Sequence, residues 1–301
     1  MNRRYVTADV FTHTRFHGNP VAVVLDAEGL STSQMQAITA EFGYSETTFV
    51  LPPRDPAHTA WVRIFTPSRE IPFAGHPNIG TAFVLATRAA ANGTPLPDRL
   101  VFEEAAGLVP VTQMKQGGVV AGAELTVPER LTRLSTLSAE SVAACLSLDA
   151  SDIRTDAHAP QVASVGLPFV VAELASREAL RRCIPSLVDY KKVLPVDGAV
   201  SIYAYTRDVG NDTSCDIQSR MFTPRMTEDP ATGSATAAAV ALIADVRGES
   251  RLLLSVSQGV DMGRPSVLIT TVDVHDGQPR VRIGGTCVSV MEGSFYLDGE
   301  G

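Results

Sequence analysis

"IFTPSREIPFAGHPNIGTAFVLA", residues 64–86, and "MFTPRMTEDPATGSATAAAVALI", residues 221–243, are two versions of one pattern. Each opens with strand-like residues ending in Phe-Thr-Pro. A polar loop and a Pro/Gly turn follow, then a run of small and apolar residues suited to a buried helix. Gly75-His76 lines up with Gly233-Ser234 if one residue is gapped. Weaker echoes precede both stretches. "GNPVAVVLD" from Gly18 resembles "GLPFVVAEL" from Gly166, and "TTFVLP" from Thr47 resembles "SIYAYT" from Ser201. The echoes fall in the same order in both halves, which makes duplication the better explanation.

The pattern predicts an α+β fold of two pseudo-symmetric domains. In each, a curled, mostly antiparallel sheet surrounds one central helix. The central helices are expected over 78–91 and 234–246, with further helices in "STSQMQAITAEFG", capped by Ser31 or Ser33 and ended by Gly43, and near 139–146. One domain spans 1–130 and takes back a C-terminal strand at about 286–301; the other spans 131–285. Small residues such as Gly80 and Ala237 let a sheet approach its helix closely. Each helix starts at a Gly turn with free backbone N–H groups, a setting that favours anions. If the halves face each other, two such corners line one cleft, and that cleft suits a carboxylate.

Composition narrows the partners. Of 301 residues, 45% are hydrophobic and 19% charged, enough apolar content for a large core. The net charge is -8, and no Lys/Arg block occurs. A nucleic-acid groove and an anionic-membrane surface are therefore disfavoured, and a small metabolite is the expected partner. No G-x-G-x-x-G follows a strand and no G-K-[ST] occurs, so dinucleotide and P-loop readings have no support. Cys145, Cys183, Cys215 and Cys287 are scattered without a C-x-x-C. They read as reduced, partly buried thiols of a cytoplasmic protein rather than as disulfides or a metal site.

Taken singly, the chemically capable residues are ordinary. Glu46 reads as a strand-end carboxylate, His76 as a turn residue, Asp229 as a turn before proline and Ser234 as part of a helix's first turn. Their placement at equivalent corners of a repeat raises them together.

These stretches, with "DVFTHTRFHGNPVAVVLDAEGLS", "SETTFV", "SQGVDMGRPS" and "IGGTCVSVMEGSFYL", resemble the PhzF-like phenazine-biosynthesis family, which shares the diaminopimelate-epimerase fold. The resemblance spans almost the whole chain in the family's order. It implies a homodimer without cofactor or metal, and an isomerase that moves a proton on a small carboxylate-bearing metabolite. The named family member isomerises trans-2,3-dihydro-3-hydroxyanthranilate. By position, the family's acid/base glutamate falls on Glu46, the histidine of G-H-P on His76, the aspartate of E-D-P on Asp229 and the serine of T-G-S on Ser234. Gly75 and Gly233 supply backbone donors, and Asn19 faces substrate. Epimerases of this fold carry a cysteine at each helix corner. Here the corners carry His76 and Ser234, which points to one-face proton movement by Glu46. The alternatives are a Ser/His/Asp hydrolase using Ser234, His76 and Asp229, and a non-catalytic metabolite-binding protein. The sequence departs from the family's pattern at Asn78 and in the loop Arg225-Met226-Thr227, both beside the proposed cleft.

Overall fold

The computed structural model describes residues 2–275 and 277–297. The chain divides into two compact units, Met1–Leu125 with Gly284–Gly301, and Thr126–Ile283. The chain passes from one to the other within continuous strands, near 125 and 283, where sequence reading put the boundaries at 130 and about 286. Residues 298–301 of that expectation lie outside the described residues.

The first unit contains strands β1 (Asn2–Val10), β2 (Asn19–Val24), β3 (Glu46–Leu51), β4 (Ala60–Phe65), β5 (Glu70–Ile71), β6 (Arg99–Glu104), β7 (Gly107–Gln116) and β8 (Val119–Thr126), and helices α1 (Thr32–Phe42) and α2 (Gly75–Ala91). The chain returns to it in the long final strand, β18 (Gln278–Tyr296), which pairs with both β1 and β8. The pairings β1–β2–β3–β4–β6–β7–β8–β18–β1 close into a ring, with β2–β3 and β4–β6 parallel and the described registers otherwise antiparallel. A closed ring leaves its main strands no open edge. Helix α2 packs on β1, β2, β3 and β7. Its small residues permit that approach: a Cβ on Gly80 would stand 2.5 Å from Val21 Cγ1 and 2.9 Å from Val10 Cγ2. A buried Thr48–Thr81 hydroxyl pair at 2.8 Å ties β3 to α2. The outer face of the sheet, carrying Val24, Phe49 and Phe65, is covered by α1 through Met35 and Ile38.

The second unit contains β9 (Thr132–Thr136), α3 (Ala139–Cys145), β10 (Ile153–Arg154), β11 (Gln161–Ser164), β12 (Pro168–Leu174), α4 (Arg177–Arg182), α5 (Leu187–Val193), β13 (Ile202–Thr206), β14 (Ile217–Phe222), β15 (Glu228–Asp229), α6 (Gly233–Arg247), β16 (Arg251–Gln258) and β17 (Ser266–His275). Its strands run β9–β11–β12–β13–β14–β16–β17, again with two parallel pairs, β12–β13 and β14–β16. Helix α6 packs on β11, β12, β13, β16 and β17 and is buried along almost its whole length. Short helices α3, α4 and α5 cover the outer face around Leu180, Tyr190, Ile202 and Phe222.

The registers align the two units residue by residue. Thr48 pairs with Ile64 as Tyr203 pairs with Met221. Ala22 pairs with Thr47 as Val170 pairs with Ile202. Thr47 therefore matches Ile202, one residue away from the pairing the letters suggest. Glu46 then matches Ser201, and Asn19 matches Leu167. The gap falls inside the loop after Phe-Thr-Pro: beyond it Glu70 matches Glu228, Ile71 matches Asp229 and His76 matches Ser234.

Both central helices begin earlier than expected, at Gly75 and Gly233. Pro77 is compatible with this because N–H groups of the first turn have no intrahelical partner. Helices α4 and α5, with six and seven residues, and strands β9 to β11 carry too little periodic signal to be seen in the sequence. The C-terminal strand expected from about 286 begins earlier, as the 19-residue β18 from Gln278 to Tyr296.

Candidate active site

The seven sequence-predicted residues form two sets, Asn19, Glu46, Gly75 and His76 in the first unit, and Asp229, Gly233 and Ser234 in the second. Glu46 is the first residue of β3, and His76 is the second of α2. His76 Nε2 lies 3.6 Å from Glu46 Oε2. The imidazole is buried, at 7% exposure, while the Glu46 side chain keeps 19%. Burial pushes the Glu46 carboxyl up from the ordinary glutamate value, and a hydrogen bond from Ser45 pulls it the other way. The Ser45 hydroxyl also reaches Asn19 Oδ1 at 3.4 Å. Asn19 opens β2 and is 1% exposed. A carboxyl raised in pKa, beside an imidazole and still reachable from solvent, can both take and return a proton.

In the second unit Asp229 closes β15 and Ser234 is the second residue of α6. The Thr232 hydroxyl donates to Asp229 Oδ2. Gln258, fully buried on β16, donates to the Asp229 carbonyl at 2.8 Å and to Thr232 Oγ1 at 3.1 Å, and accepts from the Thr232 N–H at 3.1 Å. Ser266 holds the Pro230 carbonyl at 3.1 Å. Gly259 has φ +76° and would place a Cβ 2.6 Å from the same carbonyl, so glycine is required there. These contacts immobilise the Asp-Pro-Ala-Thr loop that leads into α6.

The two corners share a feature with each other and with none of the remaining α-helices. Helices α1, α3, α4 and α5 each carry a serine N-cap whose hydroxyl accepts a first-turn N–H. Helices α2 and α6 begin after Ala74 and Thr232 with no side-chain cap bond. An anion at such a helix start is favoured by the first-turn N–H groups and by the helix dipole.

Two arginines not foreseen from the sequence anchor these corners. Arg63 Nε and Nη2 each donate to Glu70 at 2.7 Å, and Nη2 reaches Thr32 of α1 at 2.9 Å. Arg220 donates to Glu228 at 3.1 and 2.7 Å and to the carbonyls of Leu180, Arg181 and Cys183 at 3.0–3.2 Å. Each guanidinium lies over the phenylalanine two residues on, at 5.1 Å for Phe65 and 4.8 Å for Phe222. In an extended strand the next residue turns to the opposite face. Gripping Glu228 on the outer face therefore turns Asp229 inward, toward the side that holds α6. The signal was present in the repeat as Arg-x-Phe-Thr-Pro followed by Glu.

Thiol chemistry is poorly served. All four cysteines are free and buried. Burial pushes Cys145 up to about 11 and Cys183, Cys215 and Cys287 up to about 12. None of them lies within a corner. Asp229 accepts from the Thr232 hydroxyl, and His76 stands beside Glu46.

Known proteins resemble this chain over almost its whole length. An uncharacterized isomerase of Mesorhizobium japonicum is 37% identical over 98% of this chain and 99% of its own length. The trans-2,3-dihydro-3-hydroxyanthranilate isomerase of Pseudomonas chlororaphis is 33% identical over 97% of this chain and 99% of its own. Among solved structures, a predicted epimerase from Pseudomonas aeruginosa superposes with a TM-score of 0.78 at 30% identity, covering 98% of this chain and 100% of that one. The class that fold, site and relatives define is that of isomerases. The chain belongs to the phenazine biosynthesis-like protein family, PhzC-PhzF, which matches residues 8–293. Among the described residues no helix is long and apolar enough to cross a membrane.

Proposed function

We propose that the protein is a cofactor-independent isomerase that moves a proton on a small carboxylate-bearing metabolite, with Glu46 as the single acid/base. One observation carries the reading: the carboxyl raised by burial beside His76 has no counterpart in the second unit, where Ser201 takes its place. Ionised Glu46 removes a proton from a substrate carbon, the electron pair moves into the adjoining π system, and the protonated carboxyl returns the proton at a second carbon. Atoms and charge balance without an oxidant or reductant. His76 and Asp229 orient the substrate and Asn19 contacts it. The Gly75 and Gly233 amides and the Ser234 hydroxyl hold its carboxylate. The two units are pseudo-symmetric epimerase-like halves in this reading, and the active form is a cytoplasmic homodimer.

The substrate is trans-2,3-dihydro-3-hydroxyanthranilate or a relative of it, a choice supported by the named activity of the Pseudomonas chlororaphis relative. The test is turnover of that compound, followed by a thermal-shift screen of small carboxylic and amino acids with solvent-deuterium exchange on the hits. Deuterium entering a bound ligand in the wild type, and lost in Glu46→Gln, supports the reading. A Glu46→Gln enzyme of undiminished turnover overturns it, and ligand binding without exchange makes the protein a metabolite binder.

A further inference from the structure

The same register that matches Glu46 to Ser201 matches one more pair. Ala60 pairs with Phe102 as Ile217 pairs with Val256, so Glu104, at the end of β6, stands where Gln258 stands on β16. Gln258 pins the corner of α6 through Thr232 and the Asp229 carbonyl. Glu104 stands at the corner of α2. Two residues after it, the Ala106 N–H bonds the Pro72 carbonyl of the loop leading to Gly75, at 3.2 Å. Both Glu104 carboxyl oxygens are buried without a hydrogen-bond partner among the described residues. So are both polar atoms of Asn78, which is fully buried on the first turns of α2, two residues from His76.

We infer that Glu104 is a positioning residue for the Gly75–His76 corner, the first unit's counterpart of Gln258, acting through Asn78. The inference rests on that corner being the working site. Leaving two buried polar groups unpaired is costly, so an acid and an amide within reach of each other pair. The carboxylic O–H donates to Asn78 Oδ1, and Asn78 Nδ2 donates to the carboxyl oxygen. The pair presents one donor and one acceptor, as a glutamine amide does, and fixes the first turn of α2.

Burial pushes this carboxyl up to about 8 and so keeps it un-ionised below that pH, although the neighbouring Asn78 amide by itself favours the carboxylate. The charged groups that share its cavity of about 260 Å³ are Arg54, Arg63 and Glu70. Arg63 is engaged by Glu70, and Arg54 lies over Trp61 at 4.1 Å, so neither is committed to Glu104. On α2 itself, His76 faces Glu46. Above about pH 8 the carboxyl's own donor is lost, the reciprocal pairing is reduced to the bond from Asn78 Nδ2, and a buried charge is left at the corner, which loosens it. The un-ionised pair gives its full stability below the unfolded value of a glutamate and loses it as pH rises through the folded value.

The test is a substrate-free NMR titration of the full chain from pH 6 to 9.5, wild type against Glu104→Gln. The backbone amides of Gly75 and His76 and the Asn78 side-chain amide are followed. In the wild type these resonances shift together with a midpoint near pH 8, and in Glu104→Gln the shift is absent. Persistence of the same titration in Glu104→Gln overturns the inference, as does a wild-type corner that does not respond. A melting temperature that falls between pH 6 and 9 in the wild type, and less in Glu104→Gln, is the companion readout. Neither measurement involves turnover, so the outcome is independent of whether Glu46→Gln upholds the proposed reaction.

Discussion

Laid over each other through their strand registers, the two units share a scaffold and differ in what it displays. Both set a central helix after a strand, a loop and a short return strand, both leave that helix uncapped, and both clamp the return strand with an arginine. The first unit displays Asn19, Glu46 and His76. At the matching positions the second has Leu167, Ser201 and Ser234, and it carries Asp229 where the first has Ile71. The architecture is common to both units, while a raised carboxyl beside an imidazole is found at Glu46 in the first and a serine stands at its place in the second. Two equivalent catalytic groups suit two-sided chemistry; one raised carboxyl suits removal and return of a proton on a single face.

The largest expected effect separates Glu46 from Ser201. Glu46→Gln lowers kcat by about 10²–10⁴, the range of a lost general acid/base, with ligand binding retained. Ser201→Ala changes kcat by less than about threefold, as a surplus hydroxyl should. Equal losses would break the comparison. Next come the clamps. The Arg220–Glu228 pair is buried on both sides, with 12% and 10% of the side chains exposed, whereas Glu70 keeps 35%. Removing one partner of a buried pair costs about 3–5 kcal/mol, so Glu228→Ala shifts the urea midpoint strongly. Glu70→Ala, on the exposed pair, costs about 1 kcal/mol.

Asp229→Asn, which keeps shape but removes charge, lowers kcat/KM by about 10²-fold through lost orientation. Ile71→Val, its match in the first unit, leaves kcat/KM within about twofold. The smallest effect is a displacement of a pH limb. As a base Glu46 must be ionised, and burial raises its pKa. The acid limb of kcat/KM therefore rises with pH at values above those of an ordinary glutamate, and it disappears in Glu46→Gln. A limb at or below the ordinary value would remove the physical argument for Glu46 as a base near neutrality.

Much of this was legible in the sequence because the two copies keep their strongest punctuation. Phe-Thr-Pro, the Gly at each helix start and the runs of small residues survive in both, and each has a local physical meaning. The slip by one residue in matching "TTFVLP" to "SIYAYT" shows the limit. Both segments alternate acceptably in either register, and only cross-strand pairing distinguishes them. The roles of Arg63 and Arg220 were hidden for a different reason. A charged residue in a strand reads as a solvated face until the outer helices that cover it are known.

By itself the sequence determined the α+β class, the duplication, the small-residue helices and the corner residues His76 and Ser234, since these follow from periodicity, turn chemistry and composition. The tertiary structure decided which carboxyls change character. Glu46 and Glu104 are unremarkable as letters; it is removal from water, beside His76 in one case and facing Asn78 in the other, that raises them. Desolvation depends on every chain segment packed around a group, including segments far from it in sequence.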